Sequence, residues 1–209
     1  MHARVSKSQV SPERFDEGIR TIREMAIPMA KQIPGFMGGY WLGDRQTGQG
    51  RAVTFYSSAE TLRDSADAAQ RVRQEAANAT GVQFQEIEDF EVIYDTGQKV
   101  HRDAGACRVV SFQADPSKVD TFVERARDVL VPALRDTDGF QGGVWLADRN
   151  SGKGIGVTLF DTLEHVEASG ETARRLIQET SAELGIKMIA VEALEVLGRA
   201  ETPAGATAG

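Results

Sequence analysis

The sequence predicts an α+β protein: two tandem β-α-β-β-α-β units whose antiparallel sheets pack into one intramolecular, pseudo-dimeric barrel. Three observations lead there. The chain repeats itself, because residues 4–93 lie on residues 108–197 at a constant offset of 104 without a gap, and 29 of the 90 aligned pairs are identical. Within each repeat the hydrophobic period switches between strand-like and helix-like in the same order. The strand segments are apolar on both sides, so the sheet face that the helices leave uncovered needs a packing partner.

The elements follow in order. Residues 4–10 and 108–114 are short extended runs that stop at Pro12 and Pro116, a residue accepted in the first helical turn but not inside a central strand. Apolar positions then fall at Phe15, Ile19, Ile22, Ala26, Met29 and Ile33, matched by Val119, Val123, Ala126, Leu130 and Ala133, which is one helical face. Pro28 and Pro132 lie inside this pattern and predict a kink or restart, since proline lacks the backbone donor and crowds the preceding turn. The helix ends before Gly35 and Gly139. Residues 36–45 and 51–56 flank QTGQG, matched by NSGKG at 150–154, and read as a hairpin.

Simple alternation along residues 36–45 sets Phe36, Tyr40 and Leu42 on one face, and Met37 and Trp41 on the other. A second helix is expected to open at capping boxes, Ser57 with Glu60 and Asp161 with Glu164. Its inward stripe is Leu62, Ser65, Ala69, Val72 and Ala76, against Val166, Ser169, Ala173, Leu176 and Thr180. Gly81 and Gly185 close it. A last strand spans 84–93 and 188–197. The order is that of the split βαβ, or ferredoxin-like, unit, with both helices on one face of a four-stranded sheet.

The expected organisation is a first unit at 1–95, a linker at 96–106, a second unit at 107–199 and a disordered tail at 200–209. A net charge of -7 without clustered Lys or Arg argues against nucleic acid and anionic membrane as partners. No stretch approaches the roughly 20 apolar residues that span a bilayer, and the N-terminus lacks the apolar core of a secretory signal. A cytoplasmic location is the expectation. Cys107, the lone cysteine, is matched by Ala3 and reads as a buried strand residue.

Candidate site residues come from matched positions. Trp41 and Trp145, the only tryptophans, are either sheet core or the wall of a pocket that stacks on an aromatic ligand. Arg4 and Arg108 open strand one, where a guanidinium holds a ligand phenolate or carboxylate or pairs with a carboxylate of the protein. Tyr40 is a further ligand-binding candidate, present only in the first unit because Val144 matches it. Other differences are Gly18 against Phe122, Lys7 against Ser111 and Tyr56 against Phe160. Asp44-Arg45 and Asp148-Arg149 read as turn residues with a cross-strand ion pair. Gly38-Gly39 and Gly142-Gly143 mark a bulge or a close approach. His2, His101 and His165 do not repeat, and no His/Cys/carboxylate set has metal spacing. No metal and no cofactor are expected.

The unit order, the duplication and the motif GF-x-GG-x-WL-x-DR-x-x-G, which begins at Gly35 and again at Gly139, resemble the dimeric α+β barrel superfamily and, within it, the antibiotic-biosynthesis-monooxygenase-like proteins. Most of those are homodimers of one unit, so the resemblance implies a fused dimer in one chain, compatible with further homodimerisation. It also implies a ligand pocket in each unit, between sheet and helices, for a small apolar or aromatic molecule. The activity implied is a cofactor-independent monooxygenase acting on an aromatic or quinol-like metabolite. The alternative is a non-catalytic ligand-binding or structural barrel. Haem-degrading members depend on a His ligand that neither repeat supplies.

Overall fold

A computed structural model describes residues 1–97 and 103–201. The first repeat contains β1 (His2–Gln9), a 3-10 turn (Pro12–Arg14), α1 (Phe15–Thr21), a π-helical turn (Ile22–Ala26), α2 (Ile27–Ala30), β2 (Phe36–Gly43), β3 (Gln49–Tyr56), α3 (Ala59–Asp64), α4 (Ala66–Thr80) and β4 (Gln83–Asp95). The second follows the same order: β5 (Ala106–Gln113), a 3-10 turn (Pro116–Lys118), α5 (Val119–Arg125), a π-helical turn (Ala126–Leu130), α6 (Val131–Arg135), β6 (Phe140–Ala147), β7 (Lys153–Phe160), α7 (Leu163–Ala168), α8 (Gly170–Leu184) and β8 (Lys187–Glu201). The hydrogen-bonded strand order β1-β3-β2-β8-β5-β7-β6-β4 closes into a barrel, which is the α+β class expected.

Two compact units divide the chain inside its two longest strands. One is Met1–Phe90 with the end of β8 from Val196, the other Glu91–Glu195. Within the second, β4 from Glu91 onward pairs antiparallel with β6, and Lys187 to Glu195 of β8 pairs with β5. Ala200 and Glu201, expected in the tail, belong to β8. The rest of that tail, the middle of the expected linker and His101 lie outside the described residues.

Pro28 and Pro132 do not break their helices. Each lacks the N–H that would bond the carbonyl four residues back, and the preceding turn widens: Ile27 N–H donates to the Ile22 carbonyl, and Val131 N–H to that of Ala126. This five-residue spacing is a π-bulge, one of the few ways a helix absorbs such a mismatch.

Two local expectations shift. The N-cap of the second helix is Ser58, not Ser57, and its reciprocal partner is the Thr61 hydroxyl, not Glu60. In the second unit Thr162 caps the His165 N–H, which leaves Asp161 to bond the His165 ring at 2.6 Å. The helix also steps at Ser65 and Ser169 into two segments. The second shift is in β2, where the register slips between Phe36 and Gly38. That bulge ends the simple alternation and brings Phe36 into one buried cluster with Trp41 and Tyr56.

Glycine is required at Gly38 on two counts. Its φ is +156°, and an added Cβ would lie 2.7 Å from the Ala200 carbonyl oxygen, a backbone atom that cannot rotate aside. At the helix ends Gly81 and Gly185 adopt the left-handed cap expected of them. Among the described residues no helix is long and apolar enough to cross a membrane.

Candidate functional site

Each unit holds a cavity. That of the first unit has a volume of about 130 Å³, that of the second about 70 Å³. Two matched pairs of residues explain the difference. Ser8 on β1 and Gly18 on α1 line the larger cavity, and a Cβ added at Gly18 meets nothing within 4 Å. Their counterparts, Phe112 and Phe122, line the smaller one and pack on each other with ring centroids 5.0 Å apart. Two phenyl rings thus fill in one unit the space that a hydroxymethyl and a hydrogen leave open in the other. Val72 and Ala76, on the inward stripe of α4, are half-buried and line the large cavity.

The larger cavity is mostly apolar, with a small set of cationic and hydroxyl groups in its wall. Arg4 is 4% exposed and fully engaged. Its Nε and Nη2 donate to the two carboxylate oxygens of Asp89 at 2.8 and 3.0 Å, Nη1 to Ser65 Oγ at 3.0 Å, and Nη2 also to the Leu62 carbonyl at 3.0 Å. Such a bidentate fork fixes the guanidinium plane. The guanidinium carbon sits 5.9 Å from the centre of the buried Tyr56 ring. Arg73 reaches the same wall from α4. Burial pushes its guanidinium below the usual arginine range, and the charge of Arg4 adds to that. Arg51, also buried, completes a wall of three cations.

In the second unit Arg108 keeps the Ser169 and Val166 bonds, while Arg51, Tyr56 and Arg73 are replaced by Ile155, Phe160 and Ile177. Burial pushes Arg108 down as well.

Of the residues singled out from sequence, Trp41 and Arg4 meet in the first cavity, and Trp145 and Arg108 in the second. Both indoles are buried, so wall and core coincide. Tyr40 is not brought to the cavity. It lies opposite Val53 and packs edge-on against Phe55, with centroids 6.0 Å apart. Asp44 accepts from the Gln46 N–H and the Thr47 hydroxyl, as a turn aspartate should. Arg45 pairs with Asp16 of α1 and stacks 5.0 Å over Phe15, and its counterpart Arg149 pairs with Asp120 of α5 and with Glu91 of the neighbouring strand β4. Cys107 is fully buried. Among the described residues no group of three or more His, Cys, Asp and Glu could hold a metal ion. Arg73, Ser8 and Tyr56 were not assigned to the site from sequence. The available signal was the repeat itself, in which each of them faces an apolar counterpart.

Comparison with known proteins supports the fold. No family model matches the chain. Two Mycobacterium tuberculosis (strain ATCC 25618 / H37Rv) proteins, Rv2557 and Rv2558, are 27% and 24% identical over 187 and 202 residues. The alignments cover 88% and 94% of this chain, and 82% and 83% of theirs. A solved structure from Lactobacillus acidophilus NCFM superposes with a TM-score of 0.68 at 11% identity, over 96% of this chain and 95% of that one. An anthrone oxidase-like protein gives 0.63 at 16% identity, over 100% and 96%. A Listeria monocytogenes 4b F2365 ferredoxin fold protein related to antibiotic biosynthesis monooxygenases gives 0.55 at 10%, over 93% and 94%. With the closed strand order, these likenesses establish that the chain has the dimeric α+β barrel fold of the antibiotic-biosynthesis-monooxygenase-like proteins.

Proposed function

We propose that the first unit binds an aromatic or quinol-like metabolite and oxygenates it without a cofactor. The observation that carries this reading is the wall of its cavity, where Trp41 and Tyr56 stand beside the guanidinium groups of Arg4 and Arg73 in mostly apolar surroundings. Solved structures of the same fold include an anthrone oxidase-like protein. Among the described residues the lining contains no Asp, Glu or His, so ionisation of the ligand relies on its own acidity. A cation in a low-dielectric wall, that of Arg73, favours the anionic form, and a dry pocket strengthens that effect.

The chemistry then balances as follows. An acidic ring methylene loses a proton to solvent, and the carbanion transfers its electrons to dioxygen with formation of a carbon–oxygen bond. The peroxide formed takes a proton, and loss of the second C–H proton cleaves the O–O bond. The ring carbon becomes a carbonyl, and one oxygen leaves as water. Arg73 holds the anion, with Arg4 fixed beside it by Asp89, Trp41 orients the ring by stacking, and the Tyr56 hydroxyl donates a hydrogen bond to the developing oxyanion. The second unit, with Ile177 and Phe160 in place of Arg73 and Tyr56, lacks two of these groups and is assigned binding only.

The test is titration with anthrones and quinols, followed by tryptophan fluorescence and oxygen uptake. Saturable quenching with oxygen consumption that Tyr56→Phe slows supports the enzyme. Quenching without consumption supports the non-catalytic binding barrel, and no response to any aromatic ligand removes both.

A further inference from the structure

The cavity of the first unit is long for its volume, and its two ends differ in chemistry. Along α4 its lining runs from Ala69 to Thr80, and along β3 from Tyr56 to Gly50; at the rise of a helix and of a strand these spans are about 16 and 20 Å. A volume of about 130 Å³ drawn out over that length is a narrow bore. Tyr56, Trp41 and Ala69 share one buried cluster at the first end, where Arg4 and Arg73 also stand. Tyr56 is 1% exposed, and its hydroxyl has no hydrogen-bond partner among the described residues. On β1, Arg4 lies opposite Thr54 and Ser8 opposite Gly50, so Ser8 marks the way to the other end. The ion pairs of Arg4 with Asp89 and of Lys7 with Glu86 carry Phe84 and Val82 the same way. That end is apolar: Phe15, Val82 and Phe84 line it, and the Thr80 hydroxyl is already bonded to the Ala76 carbonyl.

The second unit repeats the first half of this channel and not the other half. Arg108, Gly156 and Thr158 line its cavity as Arg4, Ala52 and Thr54 line the larger one. Gly154 and Ala114, matched to Gly50 and Val10, are not in its lining. Phe112, in the place of Ser8, occupies that stretch, with its ring directly over Gly154. The extension is therefore a feature of the first unit, kept open by Ser8 and Gly18.

We infer that the ligand of the first unit is an aromatic or quinol-like head that carries a linear aliphatic tail, with the head at Trp41, Tyr56 and Arg73 and the tail running past Ser8 and Gly18 to the end between Val10 and Val82. A narrow apolar bore gives a chain of methylenes burial along its whole length, whereas a wider fused-ring body gains nothing from it. The inference rests on the oxygenase reading for the identity of the head alone; the tail follows from the shape of the cavity and involves no reaction.

The test is a titration with alkylresorcinols bearing methyl, propyl, pentyl and heptyl tails, followed by calorimetry on the unsubstituted protein and by the emission of Trp41 in Trp145→Phe, where it is the single indole. Affinity should rise about fourfold for each added methylene, and heptanoic acid, which has a tail and no ring, should bind about tenfold more weakly than the heptyl member. Ser8→Phe copies the plug of the second unit; it should leave the methyl member bound as before and flatten the rise with tail length. Equal affinity along the series, or a rise undiminished in Ser8→Phe, overturns the tail and leaves the oxygenase reading standing. Failure of every member to bind, or heptanoic acid binding as tightly as the heptyl member, overturns the aromatic head and both readings with it.

Discussion

Replacing Gly18 by phenylalanine copies into the first unit the residue that the second already uses. Gly18 lies in α1, a seven-residue helix like its counterpart α5. An added Cβ there meets no atom within 4 Å, and the space beyond it is the cavity of about 130 Å³. Two terms favour the variant. Removing a glycine from a helix interior gains about 0.5–1 kcal/mol, and burying a phenyl group gains about 1.5–3 kcal/mol. Opposing them is imperfect fit against Ile22 and Ser8, for which overpacking costs of about 1–3 kcal/mol are typical. Because the space is open, the net should be a gain of about 1 kcal/mol. For a chain of this length that raises the melting temperature by about 2–4 °C. The same ring should remove ligand-induced quenching of Trp41 and any oxygen uptake. Thermal melts and titrations on one preparation test both effects. A variant that is destabilised yet still binds the aromatic ligand would refute the argument that this cavity is open and is the binding site.

Further expectations concern single groups. Tyr56→Phe should lower oxygen turnover about 10-fold or more, the range typical of an oxyanion donor or proton-transfer group, whereas Tyr40→Phe, off the cavity, should leave it unchanged; equal loss in both would detach the effect from the cavity wall. Asp89→Ala should cost about 1–2 kcal/mol in denaturant unfolding, less than the ~3–5 kcal/mol for breaking a fully buried pair, because the Asp89 side chain is 42% exposed; a cost near zero would show that Arg4 needs no partner. His165 and Asp161 form a pH-dependent pair at 2.6 Å. The bond to Asp161 raises the His165 pKa above its usual 6.5 and the bond to His165 lowers that of Asp161 below 3.8. The histidine's contribution is therefore complete below about pH 6.5 and lost as pH rises through its raised value. The carboxylate's is present above about pH 4 and lost as pH falls through its depressed value. An NMR titration of the imidazole with a midpoint above 6.5 that falls in Asp161→Asn checks it, and a midpoint at or below 6.5 would contradict it.

Much of the local architecture was legible because local rules dictate it. Pro12 and Pro116 end strands, Gly81 and Gly185 take the left-handed cap, and Asp44 and Asp148 organise the hairpin turns. The misread details were those in which two local options compete. Ser57 and Ser58 are both good cap residues, and the choice falls on Ser58 because Thr61, three residues on, reciprocates. Along β2 the period-2 rule fails at a bulge that only pairing with β3 defines. At Pro28 and Pro132 the expected kink or restart takes the form of a π-helical turn, because proline offers no N–H to the carbonyl four residues back.

By itself the sequence determined the duplication, the order of elements, the fold class and the pairing of Trp41 with Trp145 and Arg4 with Arg108, since each depends on residue type at fixed spacing along the chain. Tertiary structure alone decided that Arg73 of α4 stands in the same wall as Arg4 of β1, that Tyr56 and not Tyr40 faces it, and that one cavity is open while Phe112 and Phe122 close down the other. A cavity is a property of what side chains far apart in sequence fail to fill, and neither periodicity nor spacing encodes that directly.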